Sequence, residues 1–173
     1  MSDLLLSEQI TGLIKNAWNV QVKAVTGYFN KYDTDFYYQE VAAGRNRAVY
    51  LLGHLTASND SLLPMLGLGE RLHPELESLF LGTPDKQLPD TELPSFEELK
   101  SYWEDVTSTL TNYFSNLATE QWLERHTRVS AEDFALDPKR NKLNVLLGRI
   151  THMTYHMGQL NLLKQTAPAA IAG

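Results

Sequence analysis

His152 and His156 stand four residues apart in the stretch HMTYHMGQL, residues 152–160. On a helix, positions four apart differ by only about 40° of rotation, so both imidazoles project from one face, one turn apart. That spacing suits a shared metal ion. It equally suits two polar residues at a half-buried helix edge, and the strip alone leaves both readings open. Gln159 follows His156 by three residues and extends the strip, as does Arg149 toward the N-terminus. A third histidine, His54, sits in YLLGHLTAS beside a leucine-rich pattern, with Tyr50 one turn before it. Alone it reads as a core histidine. Across a helical assembly from His152 and His156, it would complete an open three-nitrogen site with room for water or substrate, the catalytic pattern of zinc-like ions.

Two familiar metal motifs are excluded. A zincin needs H-E-x-x-H, and Met153 holds the glutamate position. A ferritin-like di-iron centre needs Glu-x-x-His, whereas Arg149 and Met153 stand three before the two histidines. With no cysteine among 173 residues, a thiolate metal site, a catalytic thiol and a disulfide framework are all excluded. The formal charge is −6 with no clustered Lys or Arg, which disfavours nucleic acid. No apolar run reaches the roughly 18 residues of a membrane span, and the N-terminus lacks the pattern of a signal peptide. A cytoplasmic location is expected.

The elements that must position these histidines read as four helices. The first is expected over about Leu6 to Lys31, with Ile10, Leu13, Ile14, Ala17, Val20, Ala24 and Tyr28 as its core stripe. The second spans about Arg45 to Met65, capped by Asn46, with Ala48, Leu51, Leu52, Leu55, Leu62 and Leu66 inward and Pro64 ending or kinking it. The third opens at PSFEELKSYW, where Ser95 and Glu98 have capping-box spacing, and runs inward through Phe96, Leu99, Trp103, Val106, Leu110, Phe114 and Leu117. The fourth spans about Lys142 to Lys164, with Leu143, Leu146, Leu147, Ile150, Met153, Met157 and Leu160 inward. Long connections at 67–94 and 119–141 separate the later helices, the first with a short helix expected at PELESLF. Loops of this length usually serve a site or pack as lids. The fold class is all-α, a four-helix bundle that is not a simple up-down-up-down one. One domain is expected over residues 1–168, with a frayed tail at 169–173.

GRNRAVYLLGHLTASNDSLLPMLGLGERLHPELESLF resembles the second-helix region of the DinB-like family, also called YfiT-like. HMTYHMGQL resembles that family's H-x-x-x-H-x-G-Q motif on the last helix. The resemblance implies an up-down-down-up four-helix bundle with long crossovers, often homodimeric, and one divalent ion, nickel or zinc, held by His54, His152 and His156. It also implies a metal-dependent enzyme acting on a small molecule. Characterised relatives include S-transferases that use a low-molecular-weight thiol and a thiol-dependent isomerase, and hydrolysis is a further possibility for an open metal site. The alternative is a non-catalytic ligand-binding or stress-associated protein with a structural metal. Many relatives carry a basic residue directly after the second histidine of the motif; here that residue is Met157, which loosens the transfer of any one relative's substrate.

Among the remaining candidates, Gln159 is expected either to orient an imidazole or to tie the helix to a neighbour. Tyr50 is the better pocket phenol and Tyr155 a packing residue. His73 and His126 are expected at the surface. Trp18, Trp103 and Trp122 are expected in the core or at a helix–helix interface.

Overall fold

The computed structural model describes residues 3–163, so the expected tail at 169–173 lies outside the described residues, while the fourth helix, expected to reach about Lys164, ends at Leu160. The fold is all-helical, and the described residues form no strand beyond two isolated bridges, Glu40–Arg47 and Arg125–Asn141. Four long helices dominate: α1 (Asp3–Phe29), α3 (Ala48–Asp60), α5 (Phe96–Asn116) and α8 (Lys142–Leu160). Between them lie the short helices α2 (Thr34–Tyr37), α4 (Leu62–Leu66), α6 (Thr119–Trp122) and α7 (Ala131–Leu136). A π-helical turn covers Ser78–Gly82 and a 3-10 turn Asp90–Glu92. α3 packs against α5 and α8, and α1 packs against the same two helices.

α3 is the centre of the molecule. From Ala48 to Asp60 every residue except His54 is buried, polar Thr56, Ser58, Asn59 and Asp60 included, so this helix is buried on all sides instead of along one stripe. It begins three residues later than expected, and Asn46 does not cap it. The N-cap position falls to Arg47, whose backbone N–H donates to Asp85 Oδ2 at 2.6 Å while its guanidinium grips the same carboxylate at 2.7 Å. A carboxylate from the distant crossover thus does the work of a local cap. Pro64 breaks the helix as expected. Its ring excludes the carbonyl of Asp60, α3 stops there, and Ser61 leads into the separate turn of α4.

α5 follows the sequence pattern closely. The capping box forms, Ser95 N donating to Glu98 Oε2 at 2.8 Å and Glu98 N to Ser95 Oγ at 3.3 Å, and Phe96 through Phe114 of the stripe are buried. α8 is capped by Asn141, whose side chain accepts from Asn144 N, and it buries Leu146, Ile150, Met153 and Leu160. Leu147 was expected inward and is instead exposed.

α1 departs most. Ile10, Leu13 and Val20 of its expected stripe face outward, Leu13 with 70% of its surface exposed. The buried face carries Thr11, Trp18, Val25 and Phe29. The helix has two apolar stripes about 100° apart, one residue's rotation. The one with the large aromatic rings goes inside, where their area buries most. Trp18 Nε1 is then satisfied by Thr111 Oγ1 across the contact with α5.

The long connections are packed, not open. Leu76 and Phe80 of the first, and Trp122 and Val129 of the second, are buried. The second contains α6 and α7. In the first, the helix expected at PELESLF is realised as a turn that passes into the π-helical segment.

Candidate metal centre

The imidazoles of His54, His152 and His156 converge. His54 Nε2 lies 3.1 Å from His152 Nε2, and His156 Nε2 lies 3.0 Å from the same atom. They are the one group of His, Cys, Asp or Glu among the described residues arranged to hold a metal ion. His152 and His156 owe their proximity to one turn of α8. His54 comes from α3, which packs directly on α8.

The far nitrogens explain why the near ones point inward. His54 Nδ1 lies 2.9 Å from the carbonyl oxygen of Phe80, an acceptor only, so Nδ1 carries the proton and Nε2 the lone pair. His156 Nδ1 donates likewise to Gln159 Oε1 at 2.7 Å, and Gln159 Nε2 donates to the Tyr155 hydroxyl at 3.1 Å. Gln159 therefore orients an imidazole. Tyr155 packs edge-on against the His156 ring, with centroids 5.1 Å apart, and although largely exposed it also holds Gln159 from outside. His152 differs. Its Nδ1 faces a donor, Arg149 Nη1, at a long 3.4 Å. In that tautomer His152 Nε2 carries a proton that either neighbour can accept. Without a cation the three rings thus share one hydrogen between two waiting lone pairs.

Burial drives all three basicities down. His152 is pushed down to about 3, by burial first and then by His156, Arg149 and His54. His54 and His156 are also lowered by burial, opposed in part by their bonds to Phe80 and Gln159. Neutral imidazole is the form that ligates a metal. An all-nitrogen imidazole set suits zinc, nickel or copper better than magnesium or calcium. The Nδ1 contacts are the outer bonds that ligating histidines characteristically make.

A cavity of about 240 Å³ opens against His54 and His156, walled by Tyr50, Asn46, Phe80 and Thr83. Tyr50 lines it but its hydroxyl is already committed, donating to the Thr83 carbonyl at 2.7 Å. The larger depression, about 950 Å³ between α1 and α5, contains no histidine.

Two contributors escaped the sequence reading. Phe80 acts through its backbone, which no side-chain pattern reveals. Gly53 makes that approach possible: a Cβ there would overlap the Phe80 ring. Its signal was an isolated glycine inside a helix, directly before the histidine. Elsewhere, His73 is more enclosed than expected, its side chain 15% exposed and stacked on Tyr102 at 4.1 Å. His126 is half-buried. The three tryptophans are in the core, as expected.

Comparison with curated proteins returned no match. The sequence model of one family, the DinB superfamily, matches residues 17–160, a span that holds all three histidines and the four long helices apart from the start of α1. On that match, the chain belongs to the DinB superfamily.

Proposed function

We propose that His54, His152 and His156 bind one divalent ion, nickel or zinc, through their Nε2 atoms, and that the protein is a metal-dependent enzyme for a small-molecule substrate. The observation that carries this is the convergence of three neutral imidazoles, two of them fixed by carbonyl acceptors on Nδ1. The bound ion would supply Lewis acidity at an open position, lowering the pKa of a water or a thiol. Phe80 and Gln159 hold the rings in the ligating tautomer, and Tyr50 keeps the wall of the adjoining cavity in place. That cavity is small enough to admit only a compact substrate. The reactions that fit are S-transfer from a low-molecular-weight thiol and hydrolysis. We further infer an up-down-down-up four-helix bundle. The Tyr28 hydroxyl near the end of α1 donates to the Leu160 carbonyl at the end of α8, which brings those two C-termini together. A cytoplasmic site of action is part of the same reading.

Elemental analysis of untagged protein purified without chelator tests the site. About one equivalent of metal is expected, falling sharply in His54→Ala, His152→Ala and His156→Ala with helix content retained. Full metal content in any of these variants would refute the ligand set. A non-catalytic protein with a structural metal is the competing reading. It predicts no metal-dependent turnover when glutathione, bacillithiol and mycothiol are each offered with an electrophile.

A further inference from the structure

The strongest unexplained group near the histidines is Arg149. Other buried or half-buried arginines have carboxylates: Arg47 pairs with Asp85 and Asp90, and Arg71 with Glu77. Arg149 has no carboxylate partner among the described residues. Its two polar contacts are long, 3.4 Å from Nη1 to His152 Nδ1 and 3.4 Å from Nη2 to Ser61 Oγ. Its Nε is buried with no partner. Arg128 and Arg71 add positive charge around it. The histidine cluster includes no acid. In a chain of formal charge −6, Arg149 is thus a cation flanked by two others, of which Arg71 has its carboxylate in Glu77 while Arg149 has none among the described residues.

We propose that Arg149 is the anchor for an oxyanion, a carboxylate or phosphate, on a small molecule that binds on the Nδ1 side of His152, beyond the residues that line the cavity at His54 and His156. The planar guanidinium fork matches two oxygens of such a group, which a hydroxyl and an imidazole do not. The proposal rests on the metal reading in one respect. With a cation on His152 Nε2, the ring proton resides on Nδ1 and faces Nη1, donor against donor. The weak contact seen here then has no basis, and the guanidinium is free for an external acceptor.

Calorimetric titration of untagged protein, metal-free and cobalt(II)-loaded, with benzoate, phenylphosphonate and neutral benzamide tests this. At least one acid is expected to bind about tenfold or more tighter than the amide. Arg149→Gln should erase that preference while cobalt uptake and helix content hold, and Arg149→Lys should retain binding at reduced affinity. Which acid binds separates the carboxylate from the phosphate source. Equal binding of acid and amide, no binding of any probe, or an undiminished preference in Arg149→Gln would overturn the proposal. Should Arg149→Gln fail to fold, the wild-type acid–amide difference and Arg149→Lys decide. Cobalt stoichiometry is read separately, so a failed metal site shows there, and the metal-free titration still judges Arg149.

Discussion

At the scale of the residue, the outer contacts of the rings, the Phe80 carbonyl on His54 and Gln159 on His156, govern what the histidines can do. Gln159 fixes His156 by accepting from its Nδ1. Losing such a contact typically costs about 10–100-fold in metal affinity. Gln159→Ala should therefore weaken metal binding by about that factor in a competition titration, yet still reach one equivalent at excess metal. Acid acts on the same rings. In the folded chain His54, His152 and His156 all titrate below the ordinary histidine value near 6.5. As pH falls through that value, the unfolded chain takes up protons that the folded chain refuses, so the metal-free protein loses stability from about pH 6.5 downward. For His152 the loss continues toward about pH 3. His126, also lowered by burial, adds to the slope with the same sign. Thermal midpoints of metal-free protein between about pH 8 and pH 5 should fall more steeply for wild type than for His152→Asn. Equal slopes would show that His152 is not depressed.

At the scale of the element, α3 and the π-helical turn behave as one unit. Gly53 leaves the gap into which the Phe80 ring fits, and the Phe80 carbonyl then reaches His54. Phe80 is 1% exposed and has little room to retreat. Gly53→Ala should destabilise the fold by about 1–3 kcal/mol, the usual cost of overfilling a packed site. It should also lower metal affinity, because it displaces the acceptor that sets the His54 tautomer. Urea unfolding with a parallel metal titration checks both. A stability loss with unchanged affinity would separate Phe80 from the site. π-turns occur often at functional sites, where one extra residue per turn re-aims a backbone group, and here the re-aimed group is a carbonyl.

For the whole molecule, the outward stripe of α1 is the feature without a partner. Leu6, Ile10, Leu13, Ala17, Val20 and Ala24 repeat at alternating four- and three-residue steps, the seam of a helix pair. Most of these side chains are exposed. Lys23 is the one charge among the seam's flanking positions, which include Ser7, Gln9, Asn16 and Gln21, so two copies can approach without strong repulsion. A 27-residue helix is about 40 Å long, enough for a large part of the ~800 Å² per partner of a standard interface. We therefore propose a homodimer paired through α1. Leu13→Glu should convert it to a monomer in sedimentation experiments with unchanged helix content. A monomeric wild type at micromolar concentration would dismiss this surface.

Much of this architecture was legible in the residues alone because it is local. The capping box at Ser95 and Glu98, the break at Pro64, and the shared face of His152 and His156 depend only on neighbours within a turn. The apolar period of α5 leaves one way to turn its single stripe inward. Where two stripes compete, as on α1, periodicity cannot choose between them. Burial of Trp18 and Phe29 against α5 decides. Asn46 lost its role as a cap for a similar reason: Asp85, nearly forty residues away, satisfies the helix start instead. The histidine pair is thus a property of the sequence, since any helix over 152–160 presents it. The triad is a property of the fold, since His54 reaches His152 across 98 residues only where α3 lies on α8. The tautomers of the rings, set by a backbone carbonyl at Phe80 and an amide at Gln159, exist only once that packing is complete.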